Sequence, residues 1–172
     1  MFPRLAKFAV ALVAGIAVWM ALAAPLTHFI AWSAAPLLHL DERFRDALLT
    51  PGGTVITMKS PVNAFPGATF PGDQLTFNLI LLIALFGSNR NAFRDRNIAA
   101  FAVSLLLLLL TYPLSFVTMA EAYYAMHTGA WGEVRYGELA GNAWLAAEMF
   151  WRLVGMFGLV FGCWWIGSTR TR

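Results

Sequence analysis

Glu148 and Arg152 offer the clearest chemistry in the sequence, because both charges lie in a stretch that is otherwise apolar. They are four residues apart, so on a helix their side chains share one face, and glutamate before arginine is the favourable order. Charges within a bilayer are costly and usually face another helix or a watery cavity. Two interpretations stay open: a polar site for a ligand or partner helix, and a neutralised pair that fixes helix packing.

A second candidate site combines His28, Glu121 and His127, which lie near the ends of apolar stretches. These residues, with the Glu148–Arg152 pair, could form a cluster that binds a lipid, a quinone or a haem. A haem or metal site would need histidines from facing helices. The histidines are scattered along the chain, and hydrogen bonding to backbone or water at a membrane surface is the simpler interpretation. We therefore predict no bound metal and no resident cofactor.

The composition excludes most soluble classes of protein. Hydrophobic residues make up 59% of the chain and charged residues only 12%, whereas a soluble domain carries about 25% charge. A single cysteine, Cys163, excludes an intrachain disulfide and a cysteine-based zinc site. There is no phosphate loop, dinucleotide fingerprint, metalloprotease motif or serine elbow. We expect neither nucleic acid as a partner nor, on balance, enzymatic activity, although Glu148 as an acid or base is kept as a third hypothesis.

Four apolar stretches predict four transmembrane helices, at roughly 8–30, 74–89, 97–119 and 142–167. A helix needs about 20 apolar residues to cross the hydrocarbon core. The stretch at 74–89 is short and requires little tilt or a locally thinned bilayer. Pro25 is expected to kink or end the first helix. We interpret this first helix as a retained anchor rather than a cleaved signal peptide.

A polar segment at 41–73 separates the first two predicted helices. Its start, Asp41 to Leu49, can form a short amphipathic helix, and Thr54 to Met58 is β-branched and typical of a strand. A second strand is expected at Gln74 to Phe77. The predicted fold class is therefore an all-α integral membrane protein with a single domain over 1–172. A β-hairpin is expected in the small external segment at 41–73.

Lysine and arginine residues predict the orientation, because they are enriched in short cytoplasmic loops. One side would hold Arg4, Lys7, Arg90, Arg94, Arg96, Arg170 and Arg172, and the other Arg43, Arg45, Lys59 and Arg135. Both termini are therefore expected in the cytoplasm, with a bacterial inner membrane as the location. The 41–73 and 120–141 segments are expected outside.

Three glycines, Gly155, Gly158 and Gly162, recur at steps of three and four residues in the last apolar stretch. Small residues at this spacing allow two membrane helices to approach closely. Together with the Glu148–Arg152 pair and the lack of a recognisable catalytic set, they predict a non-catalytic accessory subunit. Its partners would be the lipid bilayer and other membrane subunits of a larger assembly.

The order of these features resembles the small bacterial membrane proteins that are associated with exosortase systems. The resemblance rests on an anchor followed by an external segment, the run Leu75-Thr76-Phe77-Asn78 entering a membrane stretch, the basic loop, and Tyr112-Pro113-Leu114. Exosortases are membrane cysteine transpeptidases that also use arginine and histidine. Cys163 is expected on the cytoplasmic side without a histidine, so that catalytic role does not carry over. The resemblance implies an accessory role beside a membrane enzyme, linked to protein sorting or export.

Overall fold

The computed structural model describes residues 2–89 and 92–169 as five α-helices with a small sheet. The helices are α1 (Phe2–Leu38), α2 (Asn78–Gly87), α3 (Asp95–His127), α4 (Ala130–Phe150) and α5 (Met156–Thr169). The strands are β1 (Leu48–Gly52), β2 (Val55–Lys59) and β3 (Ala68–Pro71). Single 3-10 turns lie at Glu42–Phe44 and Asp73–Leu75, and a π turn at Trp151–Gly155 joins α4 to α5.

Three helical segments are long and apolar enough to cross a membrane: Leu5–Leu38, Asp95–His127 and Ala130–Gly167. They support the predicted class of membrane protein. The fourth predicted span, at 74–89, contains α2, which has 10 residues and a length of about 15 Å. That is about half the thickness of a hydrocarbon core. Four crossings are therefore not confirmed, and the fourth stays a prediction.

The first helix continues through Pro25, so that proline does not end it. The reason lies in its second half, where Ile30, Ala34 and Leu38 are almost fully buried in the same core as the buried residues of the sheet. Burial of this face stabilises the helix by more than the loss of the hydrogen bond that Pro25 removes. The apolar stretch after Pro25 thus extends the helix into the core of the sheet-bearing end.

Helix α2 runs antiparallel to α1 with very close backbones. A side chain at Gly15 would meet the backbone of Ile80, and one at Gly87 would meet Ala11. The indole of Trp19 also donates a hydrogen bond of 3.0 Å to Thr76 Oγ1. Glycine at both contacts removes the Cβ that would separate the helices.

The sheet is an antiparallel meander in the order β1-β2-β3. The strand predicted at Thr54 to Met58 is confirmed as β2 (Val55–Lys59). The strand predicted at Gln74 to Phe77 is wrong, because the amides of Gly72 and Asp73 both donate to the Thr54 carbonyl and the chain then turns into α2. The helix predicted from Asp41 to Leu49 is also wrong, since a single 3-10 turn precedes β1.

Candidate functional site

A buried ion pair between Arg43 and Glu121 lies at the sheet-bearing end of the bundle. Arg43 Nη2 is 3.2 Å from Glu121 Oε2, and the exposed fractions of the two side chains are 21% and 3%. Arg43 belongs to the 3-10 turn after α1, whereas Glu121 lies near the end of α3. The pair therefore ties the sheet-bearing segment at 41–73 to the helix bundle.

Asp41 binds the same guanidinium through Nε and through Nη2, the nitrogen that also faces Glu121. Arg43 Nε donates to Asp41 Oδ1 over 2.9 Å, and the amide of Arg43 donates to the same oxygen over 2.8 Å. Asp41 thereby caps the 3-10 turn. The hydrogen bonds from Arg43 lower the pKa of the Asp41 carboxyl from its usual value. One guanidinium is thus shared by two carboxylates.

Tyr136 of α4 completes the cluster. Its hydroxyl donates a 2.6 Å hydrogen bond to Glu121 Oε2, and the guanidinium carbon of Arg43 lies 3.8 Å from the centre of its ring. The next residue, Gly137, interrupts α4 with φ 68° and ψ 167°, a conformation that L side chains rarely adopt. The chain therefore changes direction directly after Tyr136, the residue that bonds to Glu121.

A group of aromatic rings packs beside this cluster, where Trp131 contacts Tyr136, and holds the loop before β3. Phe44 and Phe65 pack edge to face with centroids 5.4 Å apart, and Phe44 lies 5.0 Å from Tyr124. The Tyr124 hydroxyl donates to the carbonyl of Pro66 over 2.7 Å. The Trp131 indole donates to the carbonyl of Ala64 over 2.8 Å. Excluding water from this end strengthens the charged hydrogen bonds next to it.

The candidate ligand cluster predicted from the sequence takes a different form. Glu121 engages Arg43 and Tyr136. His127 is exposed at the end of α3 and stacks on Tyr123 with centroids 5.3 Å apart, while His28 is exposed on α1. Among residues 2–89 and 92–169, no three His, Cys, Asp or Glu side chains are grouped as metal ligands would be.

The Glu148–Arg152 pair forms as the spacing predicts, with Arg152 Nε 3.2 Å from Glu148 Oε1. The exposed fraction is 12% for Glu148 but 52% for Arg152. The π turn begins between them at Trp151, whose indole donates to Ser115 Oγ of α3. A cavity of about 20 Å³ lies beside the pair, lined in part by Gln74, Ser115, Thr118, Glu148 and Arg152. Single π turns often occur at functional sites.

The three predicted packing glycines have different surroundings. A side chain at Gly155 would overlap the indole of Trp151, four residues earlier. At Gly158 and Gly162, an added Cβ would meet no described atom within 4 Å. Close packing between helices falls instead on Gly167, where a Cβ would meet Ala100 and Phe86. The Gly158–Gly162 face is therefore not used within the described part of the chain.

Sequence reasoning missed Arg43 and Tyr136 as partners of Glu121. Arg43 is 78 positions before Glu121, and no periodic pattern relates residues at that separation. The available signal was weak: a glutamate and a tyrosine flank one predicted external turn, and an arginine lies in the other external segment. Comparisons with protein families, curated proteins and solved structures find no match for this chain. Its geometry is therefore the basis for inferring function.

Proposed function

We propose that the protein is a non-catalytic accessory subunit of a larger bacterial inner-membrane assembly, with a role in protein sorting or export. The observation that carries this proposal is the face formed by Gly158 and Gly162 on α5. Lipid chains gain nothing from a missing Cβ, whereas a second helix gains a close backbone approach. The occupant we propose is one transmembrane helix of a different membrane protein.

The proposed topology has four crossings, with both termini in the cytoplasm and the sheet outside. Exposed Lys7, Arg94 and Arg96 support this orientation, because they lie at the end of the bundle opposite the sheet. The fourth crossing is supported by the pairing of α2 with α1. The segment 72–87 contacts α1 from Gly87, which meets Ala11, to Gly72, which meets Thr27. These contacts extend about 24 Å along α1, so modest bilayer thinning would complete the crossing.

The external segment suits an accessory role because it is held firmly relative to the helices. Arg43 and Glu121 join it to α3, and Tyr124 and Trp131 fix the loop before β3. The sheet would therefore be held at a fixed position relative to a partner bound to α5. This is an arrangement by which a small subunit can orient a membrane enzyme or its substrate.

Photocrosslinking in the native membrane tests the proposal. A photoreactive residue at Phe161, exposed beside the glycine face, should crosslink to one other membrane protein. The same photoreactive residue in place of Leu106, which is exposed on α3, is the control and should crosslink to lipid. Gly158→Leu with Gly162→Leu should abolish the protein crosslink, while Ala146→Leu, at another exposed small residue, should preserve it.

Two outcomes would contradict the accessory function. One is a crosslink from Phe161 to a second copy of this chain, since the glycine face would then serve a homodimer. The other is a monodisperse monomer, purified in mild detergent after crosslinking, with no crosslinked protein at all. Mass spectrometry of the crosslinked band identifies the partner helix in the supporting case.

A further inference from the structure

The depth of Arg152 follows from its neighbours on α3. Trp151 donates to Ser115, which precedes Glu121 by six residues, or about 9 Å along the helix. The α3 sequence from Asn97 to Ala120 contains no charged residue. Arg152 therefore lies within the apolar band of the bundle, near the edge closest to the sheet. This placement does not depend on the proposed accessory function and requires only that α4 and α5 lie in a membrane.

The hydrogen-bond donors of Arg152 are only partly satisfied at this depth. Glu148 is its only ion-pair partner in the described ranges, through Nε, and half of the side chain remains exposed. A guanidinium has five N–H donors, and donors left unpaired in hydrocarbon cost several kcal/mol each. Long basic side chains relieve this cost by extending towards the polar boundary. Glu148 lies one helical turn nearer that boundary, so the ion pair directs the guanidinium that way.

Arg152 and Gln74 place polar groups at the mouth of a small and mostly apolar cavity. Gln74 is exposed and lines the same cavity as Arg152, so its side-chain amide adds further donors. The enclosed space is about 20 Å³, enough for one water molecule and far too small for a lipid headgroup. A larger ligand must therefore bind at the exposed mouth, where Arg152 lies, rather than inside.

We propose that Arg152, assisted by Gln74, binds the phosphodiester of a phospholipid in the leaflet nearest the sheet. Guanidinium groups match the oxygens of a phosphate through paired hydrogen bonds. Phosphate and ester oxygens lie at the edge of the hydrocarbon core, which is where this guanidinium points. Glu148 orients the arginine and is not itself a ligand of the phosphate.

Lipid retention tests this site on the full chain. The protein is placed in nanodiscs that contain a phosphatidylglycerol or a digalactosyl lipid with the same acyl chains, and native mass spectrometry then counts the retained lipids. The wild-type protein should retain the phospholipid and not the galactolipid. Arg152→Gln should weaken retention about tenfold, the loss expected for hydrogen bonds to a charged group. Arg135→Gln, at an exposed arginine outside the mouth, is the matched control.

Glu148→Gln separates phosphate binding from a purely structural pair. Because glutamine keeps an oxygen that accepts from Nε but removes the competing charge, the arginine stays oriented and phospholipid retention should stay equal or increase. Inorganic phosphate added in excess should not displace the lipid if the headgroup is the ligand, and displacement would assign the site to free phosphate instead. Equal retention by the wild-type protein and Arg152→Gln, with unchanged thermal unfolding, would overturn the proposal. Loss in Glu148→Gln equal to that in Arg152→Gln would also overturn it.

Discussion

Two Glu–Arg pairs in this protein share their chemistry and differ in nearly every physical respect. Arg43 and Glu121 are far apart in sequence, are largely buried, and gain further bonds from Asp41 and Tyr136. Glu148 and Arg152 are one helical turn apart, and Arg152 is half-exposed. The first pair joins three segments of the chain, whereas the second could form on an isolated helix.

The difference shows how burial determines what an ion pair can do. A largely buried pair with further hydrogen-bond partners stabilises one arrangement of the chain, because either charge alone would be costly. A pair between neighbours on one helix does not fix how distant segments pack, and the half-exposed arginine keeps donors for another partner. We therefore propose that the Arg43–Glu121 cluster stabilises the fold and that Arg152 binds a ligand. The following changes test this contrast, from the largest expected effect to the smallest.

Glu121→Ala should cause the largest loss, lowering the free energy of unfolding by about 3 kcal/mol, because it leaves Arg43 and Tyr136 without their shared acceptor. Thermal unfolding in detergent, followed by tryptophan fluorescence, measures the change. Glu133→Ala removes an exposed carboxylate from the same end of the molecule and should leave unfolding unchanged. Equal melting temperatures for the two variants would remove the contrast between the pairs.

Gly137→Ala should cost about 2 kcal/mol, because its φ of 68° and ψ of 167° suit glycine alone. The strain should displace Tyr136 from Glu121. Gly158→Ala, at an exposed helical glycine where no described atom opposes a Cβ, is the control and should be neutral or slightly stabilising. The same thermal unfolding assay applies, and a neutral Gly137→Ala would show that the break in α4 does not hold the cluster.

Tyr136→Phe should lower the free energy of unfolding by about 1.5 kcal/mol, the usual value of a hydrogen bond to a charged group. The ring stays over Arg43, so the change isolates the bond to Glu121. Tyr123→Phe keeps the ring that stacks on His127 and should have no effect of this size. A smaller loss in Tyr136→Phe than in Tyr123→Phe would contradict the cluster geometry.

Glu148→Gln and Arg152→Gln should each change stability by no more than about 0.5 kcal/mol, because a pair within one helix can persist when the helices separate on unfolding. A double-mutant cycle with both changes measures the coupling directly. Coupling of 2 kcal/mol or more, a size expected for buried charged contacts, would show that this pair is architectural like the first. It would thereby weaken the assignment of Arg152 to lipid.

Acid should produce the smallest effect, through Asp41. Its folded-state pKa is lowered by the hydrogen bonds from Arg43, so its contribution to stability is present above about pH 4 and is lost as the pH falls through the lowered pKa. Melting temperatures at pH 7 and pH 3 should therefore differ less for Asp41→Asn than for the wild-type protein. An identical acid response in both would show that Asp41 adds nothing to the cluster.

Local features of the fold were predictable to the extent that they depend on neighbours in sequence. Of the four spans predicted from apolar stretches, three are helices of spanning length, and the β-branched run predicted β2. The segment Gln74 to Phe77 has a composition that suits a strand. The sheet ends before it, because the amides of Gly72 and Asp73 both donate to the Thr54 carbonyl. Pro25 suggested a helix end, yet burial of Ile30 and Leu38 outweighs it.

The sequence by itself determined the class of protein, three of its long helices, and the Glu148–Arg152 pair, because hydropathy and helical spacing act over short ranges. Only the tertiary structure decided that Glu121 belongs to Arg43 and Tyr136 rather than to the histidines. It also decided that Gly158 and Gly162 face outward. Both results depend on which distant segments come into contact and which do not. Those contacts depend on how the helices and the sheet pack together, and no local sequence pattern records them.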